Sequence, residues 1–129
     1  MSRLVAEPKS PMLVVATLSH VRSIFVLPRF FGLARRCVAA AEASPGNRGV
    51  RIKVQSPLRW ATITGWDDEA AMIAFVRGPV HMAAMRETRA VSRQNFFARF
   101  TTDQDLSELA WTDVLAHLDP AAPRVAQAA

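Results

Sequence analysis

The sequence predicts a single α+β domain, and three observations support this prediction. The chain has 129 residues, of which 50% are hydrophobic and 21% are charged, a composition typical of one globular domain with its own core. Hydrophobic patterns with the strand period and with the helix period alternate along the chain. Pro and Gly separate the patterned segments. The one cysteine, Cys37, excludes an internal disulfide framework and a cysteine-based zinc site.

The first half of the chain contains a predicted strand, a helix and two further strands. Residues 13–19 are an apolar run rich in β-branched side chains, which predicts a buried strand. Pro28 suits a first helical turn, and an i, i+3/i+4 apolar stripe follows it as far as Ala41. Residues 50–55 alternate apolar and polar side chains, as a strand with one wet face does, and residues 60–66 form the next strand.

The second half adds two helices, a strand and a last helix. Three acidic residues, 67–69, begin a helix that Gly78-Pro79 ends, and a second helical stretch starts at that break. Residues 95–101 predict the fourth strand and residues 106–118 a terminal helix. The resulting β-α-β-β-α-β order is the ferredoxin-like split βαβ arrangement, a four-stranded antiparallel sheet with helices on one face.

The segments that flank this domain have a different composition. We expect residues 1–11 to be a flexible N-terminal arm and residues 120–129 an Ala/Pro-rich flexible tail, which leaves 12–119 as the domain. The N-terminus lacks the pattern of a secretion signal, and no stretch approaches the roughly 20 apolar residues that a membrane span requires. We therefore expect a cytoplasmic protein that is not inserted in a membrane.

Basic residues are concentrated in the first half of the chain. The net charge is +5, with ten Lys/Arg against two acidic residues up to Trp66 and six against nine after it. A nucleic-acid site would need a basic stripe interleaved with stacking aromatic residues, and the sequence does not show one, so nucleic acid is not an expected partner. A basic patch for an acidic partner stays open as an alternative. Its candidate members are Arg29, Arg35, Arg36, Arg48, Arg51 and Lys53.

His81 is the first candidate for chemistry because it lies just after the Gly78-Pro79 helix break. Helical spacing places Met85 and Thr88 on the same side. A neutral imidazole at this position can accept a proton from a substrate or bind an iron atom. The alternative is a partly buried histidine that only donates a hydrogen bond to a backbone carbonyl.

Two other pairs of residues are candidates for ligand binding. Trp60 and Trp66 share one strand face, which either lines a pocket for a flat apolar ligand or fills the core. His20 and Arg22 lie near the end of the first strand on one alternating face, where they can hold an anionic group. No P-loop, hydrolase or metalloprotease motif is present, and we predict no metal site.

Several short strings resemble one family in their order and spacing. They are Val21-Arg22-Ser23, Pro28-Arg29-Phe30-Phe31, Pro45-Gly46, Trp66-Asp67-Asp68, Ala74-Phe75-Val76-Arg77, and His81 four residues before Met85. The family is a group of small bacterial proteins in the dimeric α+β barrel superfamily, similar to antibiotic-biosynthesis monooxygenases and spheroidene monooxygenase-like proteins. The resemblance extends from Leu13 to Leu118.

The resemblance implies a homodimer in which two ferredoxin-like subunits pack sheet against sheet as a dimeric α+β barrel. Trp60, Trp66 and the phenylalanines of the last strand would then supply apolar side chains to the uncovered sheet face. The resemblance also implies a pocket between the sheet and the helices, near His81, Phe75 and Met85, for a small apolar or aromatic molecule.

The implied function is that of a monooxygenase-like oxidoreductase without a cofactor. His81 would orient or deprotonate a flat, mostly apolar substrate, Trp66 would pack on it, and dioxygen would react directly with the substrate carbanion. One alternative is a haem-binding or haem-degrading protein with His81 as axial ligand. Another is a non-catalytic dimer that binds an acidic partner.

Overall fold

A computed structural model describes residues 11–118, which form one four-stranded sheet and four α-helices. The strands are β1 (Met12–Val21), β2 (Asn47–Ser56), β3 (Arg59–Trp66) and β4 (Ser92–Thr102), and the helices are α1 (Leu27–Glu42), α2 (Glu69–Val76), α3 (Pro79–Val91) and α4 (Trp111–Leu118). Short 3-10 turns lie at Ile24–Val26 and Leu106–Glu108. Apart from Pro11, the expected arm and tail lie outside the described residues.

The strand order is β2-β3-β1-β4, and every neighbouring pair is antiparallel. β1 is therefore a central strand, flanked by β3 and β4. This order confirms the ferredoxin-like α+β fold that the sequence predicts. No helix within residues 11–118 combines the length and the apolarity needed to cross a bilayer.

Three helices, α1 to α3, cover one face of the sheet. Pro28 lies in the first turn of α1, where its missing N–H is not needed. Asp68 begins α2 as its N-cap, since its side chain accepts a hydrogen bond of 2.9 Å from the backbone N–H of Ala71. Gly78 precedes the first residue of α3, and Pro79 begins it, so the predicted helix break is confirmed.

The opposite face of the sheet is covered by the end of the described chain, which the sequence did not lead us to expect. The segment predicted as one helix over 106–118 is in fact the Leu106–Glu108 turn followed by α4. Val114 and Leu118 of α4 pack against the even-numbered side chains of β1. Those side chains, all buried, are Met12, Val14, Ala16 and Leu18. The expectation of helices on one face thus holds for α1 to α3 but not for α4.

The same layering corrects the expected surface for a dimer. Trp60 and Trp66 have the opposite parity on β3 from the buried Ala61 and Ile63, so they lie on the face that α1 to α3 cover. They are not part of an uncovered face. Phe96 and Phe100 of β4 do lie on the other face, but they pack against the core that α4 completes.

Arg51 of β2 holds the covering segment in place. Its Nη1 donates hydrogen bonds to the carbonyls of Leu106, at 2.7 Å, and Leu109, at 2.9 Å. Its guanidinium also lies 5.0 Å from the centre of the Trp111 ring, in cation–π geometry. One partly exposed side chain thus links the edge strand, the Leu106–Glu108 turn and α4.

Candidate functional site

A cavity of about 180 Å³ lies between the sheet and the helices α1 to α3. Its floor is formed by β1, β3 and β4, with a contribution from the edge strand β2. Its walls are largely aliphatic and aromatic. At its rim, Ile52, Met85 and Phe97 are 43%, 39% and 49% exposed, so the cavity opens to solvent.

Three rings packed in series line part of the cavity. Trp66 is completely buried, and its ring stacks on that of Phe75 at 5.2 Å between centroids. Phe75 in turn meets the imidazole of His81 edge to face at 5.1 Å. The indole N–H of Trp66 donates to the hydroxyl of Thr64 at 2.9 Å. Trp66 therefore supplies a rigid apolar wall, and its one polar group is already satisfied.

His81 presents a free nitrogen in this apolar surrounding. Its Nδ1 is buried and has no hydrogen-bond partner within residues 11–118. Burial lowers the pKa of His81, and a hydrogen bond to the backbone of Val76 opposes that effect in part. The imidazole is therefore neutral at physiological pH. A neutral imidazole with an unpartnered nitrogen is suited to accept a proton.

Trp60 lies in the cavity wall near the start of β3, at the opposite end of the strand from Trp66. Its ring meets Phe30 and Phe31 of α1 edge to face, at 5.4 and 4.8 Å between centroids. Its indole N–H donates to the carbonyl of Pro57 at 2.8 Å. Both tryptophans of this strand therefore have fixed orientations before any ligand arrives, which lowers the entropy cost of binding.

Polar side chains of the cavity floor form two cross-strand pairs. Thr17 of β1 is opposite Thr62 of β3, and Ser19 of β1 is opposite Asn95 of β4. All four line the cavity. They offer hydrogen bonds to a ligand whose other surfaces contact apolar walls.

The cavity lining carries no formal charge among the residues that the structure describes. It includes no Lys, Arg, Asp or Glu. Its remaining titratable group, the Cys37 thiol, is neutral because burial raises its pKa, although the charge of Arg36 opposes this. Nor do any three His, Cys, Asp or Glu residues within 11–118 lie close enough together to hold a metal ion. An uncharged ligand suits such a cavity, since an ion would lose its hydration without gaining a partner.

The structure brings together five of the seven residues that the sequence nominated. Around one cavity it places His81, Trp66, Trp60, Phe75 and Met85.

The other two nominated residues, His20 and Arg22, lie outside the cavity. β1 ends at Val21, so Arg22 lies beyond the strand whose alternation was expected to place it on the same face as His20. Arg22 instead donates two hydrogen bonds to the carbonyl of Arg89, at 2.9 and 3.3 Å, near the end of α3.

The sequence analysis missed the polar residues that β1 and β4 contribute to the floor of the cavity. Thr17 and Ser19 belong to a strand that appears apolar on both faces, and Asn95 is the first residue of the predicted fourth strand. The sequence did indicate these residues, because side chains alternate along a strand and the odd-numbered Val15, Thr17 and Ser19 must lie on the same face of β1. That face becomes polar toward the end where β1 pairs with Asn95.

Comparisons with known proteins identify the fold. No protein-family model matches the chain, and no curated protein matches its sequence. Among solved structures, SnoaB from Streptomyces nogalater, a cofactor-independent oxygenase, is 20% identical with a TM-score of 0.61 over 77% of this chain and 99% of its own. An antibiotic biosynthesis monooxygenase is 18% identical with a TM-score of 0.61, over 71% and 97% of the two chains.

A protein of unknown function from Nitrosomonas europaea, NE2512, is 13% identical with a TM-score of 0.63, over 72% of this chain and 90% of its own. The predicted resemblance to monooxygenase-like proteins is thus confirmed at the level of the fold. Shared folds host many chemistries, so the function has to be argued from the cavity itself.

Proposed function

We propose that the cavity binds a flat, uncharged, mostly apolar small molecule, and that the protein is a monooxygenase-like enzyme that needs no cofactor. The observation that carries this proposal is the free Nδ1 of a neutral His81 in an aromatic-walled cavity. The similarity in fold to a cofactor-independent oxygenase supports it. His81 is the proposed base, and Phe75, backed by the buried ring of Trp66, forms the surface on which the substrate packs.

The reaction begins with a proton transfer. His81 Nδ1 accepts a proton from a methylene carbon of the substrate that is made acidic by a neighbouring aromatic ring and carbonyl group. The carbanion that remains reduces dioxygen and forms a carbon–oxygen bond, giving a peroxide that takes a proton back from His81. Loss of water then leaves a new carbonyl group. One oxygen atom of O₂ ends in the product and one in water, so the reaction requires no external reductant.

The environment of His81 suits the first step. The low pKa that burial gives the imidazole keeps it deprotonated and available as a base at neutral pH. The hydroxyl and amide groups of Thr17, Thr62, Ser19 and Asn95 can donate hydrogen bonds to the substrate carbonyl, where negative charge develops as the proton leaves.

The size of the cavity limits the substrate. A buried apolar cavity of about 150 Å³ accommodates benzene, so a cavity of about 180 Å³ holds one aromatic ring with small substituents. A second ring must extend through the rim, where Met85 and Phe97 are partly exposed. We therefore propose substrates of one or two rings.

Haem does not fit the cavity as the structure describes it. Its macrocycle of several pyrrole rings is much larger than the single ring that this volume admits. The carbonyl of Pro57 and the hydroxyl of Thr64 already fix the two tryptophans of the wall.

The test has a binding stage and a reaction stage. Uncharged aromatic ketones of one and two rings are screened by quenching of tryptophan fluorescence, and those that bind are incubated with ¹⁸O₂. We expect one labelled oxygen in the product. The variant His81→Gln should lower turnover by about 10²- to 10⁴-fold, the usual contribution of a general base, while binding is retained.

His117→Gln is the matched control, because His117 lies on α4 outside the cavity, with its ring stacked on Phe100. Unchanged turnover in His81→Gln would remove the proposed base. If none of the uncharged ketones binds while anionic analogues do, the proposed ligand class is wrong.

A homodimer is a further part of the proposal. Sheet-to-sheet packing would require the face around Val14 and Leu18, which the Leu106–Glu108 turn and α4 now cover. Light scattering of the full chain measures the mass directly. A monomeric mass at every concentration would contradict the homodimer.

A further inference from the structure

A second site lies at the end of the sheet where β1 meets a β-bulge, outside the cavity. His20 pairs with Arg59 of β3 on one side and with Gln94 of β4 on the other. The pairing then moves from His20–Gln94 to Val21–Ser92, so Arg93 is the extra residue of the bulge. Bulges re-aim side chains, and this one brings a second arginine close to His20.

Within residues 11–118, three polar side-chain groups of this cluster have no hydrogen-bond or ion-pair partner. The Nε2 of His20 is buried and makes no hydrogen bond within the described residues. The guanidinium groups of Arg59 and Arg93 form no ion pair or hydrogen bond with any residue between 11 and 118. Two guanidinium groups beside a buried ring nitrogen, with no carboxylate of residues 11–118 paired to them, concentrate positive charge at this end of the sheet.

The titration of His20 reflects the same surroundings. Burial lowers the pKa of His20, and the positive charges of Arg59 and Arg93 lower it further. The strand register accounts for both charges, because Arg59 is directly opposite His20 on β3 and Arg93 is the bulge residue next to Gln94, which is opposite His20 on β4. Phe96 holds the ring from one side, edge to face at 5.5 Å, so the imidazole has a defined orientation.

We propose that His20, Arg59 and Arg93 bind the dianionic phosphate group of a small molecule. Guanidinium groups donate paired hydrogen bonds that match the oxygens of a phosphate. Two such groups balance two negative charges, and the neutral imidazole donates through Nε2 to a third oxygen. A carboxylate carries one charge and would leave one arginine unpaired. The site is separate from the cavity and does not depend on the function proposed for it.

The experiment uses inorganic phosphate as the probe, at a pH where it is mainly dianionic and at constant ionic strength kept with chloride. The ring resonances of His20 are followed by NMR in the full-length protein. We expect a saturable shift and a rise in the pKa of His20, because bound phosphate offsets the two positive charges. Arg59→Gln and Arg93→Gln should each weaken binding about tenfold, the usual effect of losing a charge-assisted hydrogen bond.

Arg35→Gln is the matched control, because it removes the same charge from an exposed position of α1. It should leave phosphate affinity within about twofold. The proposal fails if phosphate produces no saturable shift, or if Arg35→Gln weakens binding as much as Arg59→Gln does. Equal binding of acetate would overturn the dianion assignment. Tighter binding of a short single-stranded DNA than of phosphate would overturn the small-molecule assignment.

Discussion

Replacing Arg51 with alanine should loosen the segment that covers the second face of the sheet. Arg51 is the side chain through which β2 contacts both the carbonyls near the Leu106–Glu108 turn and the ring of Trp111. Once it is removed, the carbonyls of Leu106 and Leu109 lose a charged donor. We expect the free energy of unfolding to fall and α4 to open more often.

The size of the effect follows from the contacts. A hydrogen bond from a charged donor contributes about 1.5 kcal/mol at the low end of its range, and Arg51 makes two. Because the side chain is partly exposed and water can replace it at the carbonyls, we halve their sum to about 1.5 kcal/mol. The cation–π contact with Trp111 adds about 0.5 kcal/mol. The expected loss is about 2 kcal/mol.

Urea unfolding measures the change in stability, and amide hydrogen exchange over residues 111–118 measures the opening of α4. Lys53→Ala is the control, because Lys53 is an exposed basic residue two positions farther along β2. A surface substitution of this kind changes stability by less than about 0.5 kcal/mol. If Arg51→Ala and Lys53→Ala differ by less than that amount, Arg51 does not hold the segment.

Three further results are expected. The free energy of unfolding should fall between pH 7 and 5, because burial lowers the pKa of His81 and the unfolded chain therefore takes up a proton more readily. The urea midpoint of His81→Gln should then change less with pH than that of the wild type. Equal pH dependence of the two midpoints would contradict this. Trp66→Ala should cost about 3–5 kcal/mol in urea unfolding, since the ring is completely buried, and a loss below 1 kcal/mol would mean that the site collapses. Trp60→Glu should leave the mass measured by light scattering unchanged, because its ring packs against Phe30 and Phe31 of the same chain; a change in mass would place an interface there.

The element order could be predicted from the sequence because it depends on local periodicity. Pro28 and the Gly78-Pro79 break act within one turn of the chain, so their effect is visible without knowledge of the fold. The position of α4 depends instead on the contacts of Arg51 with carbonyls 55 and 58 residues away, a distance that no periodicity records.

The candidate site likewise contains residues that local sequence could predict and residues that only strand pairing brings together. His81 could be selected from the sequence because it closely follows the Gly78-Pro79 helix break, which is visible in a few consecutive residues. The partners of Thr17 and Asn95 are set by strand pairing, and the bulge at His20 shows in the sequence as nothing more than an ordinary histidine before a valine. Helix breaks can therefore be predicted from one segment, whereas a bulge arises between two.

Two histidines, His20 and His81, each have a buried nitrogen without a hydrogen-bond partner within residues 11–118, and their surroundings differ. Burial lowers the pKa of both, and both rings contact a phenylalanine edge to face. His81 lies in a cavity without formal charge, where its free nitrogen can exchange a proton with a neutral substrate. His20 lies between Arg59 and Arg93, whose side chains form no ion pair within residues 11–118; their charge opposes protonation of the ring and favours an anion beside it. Histidine is thus the proposed base on one face of the sheet and part of the proposed anion site at its end.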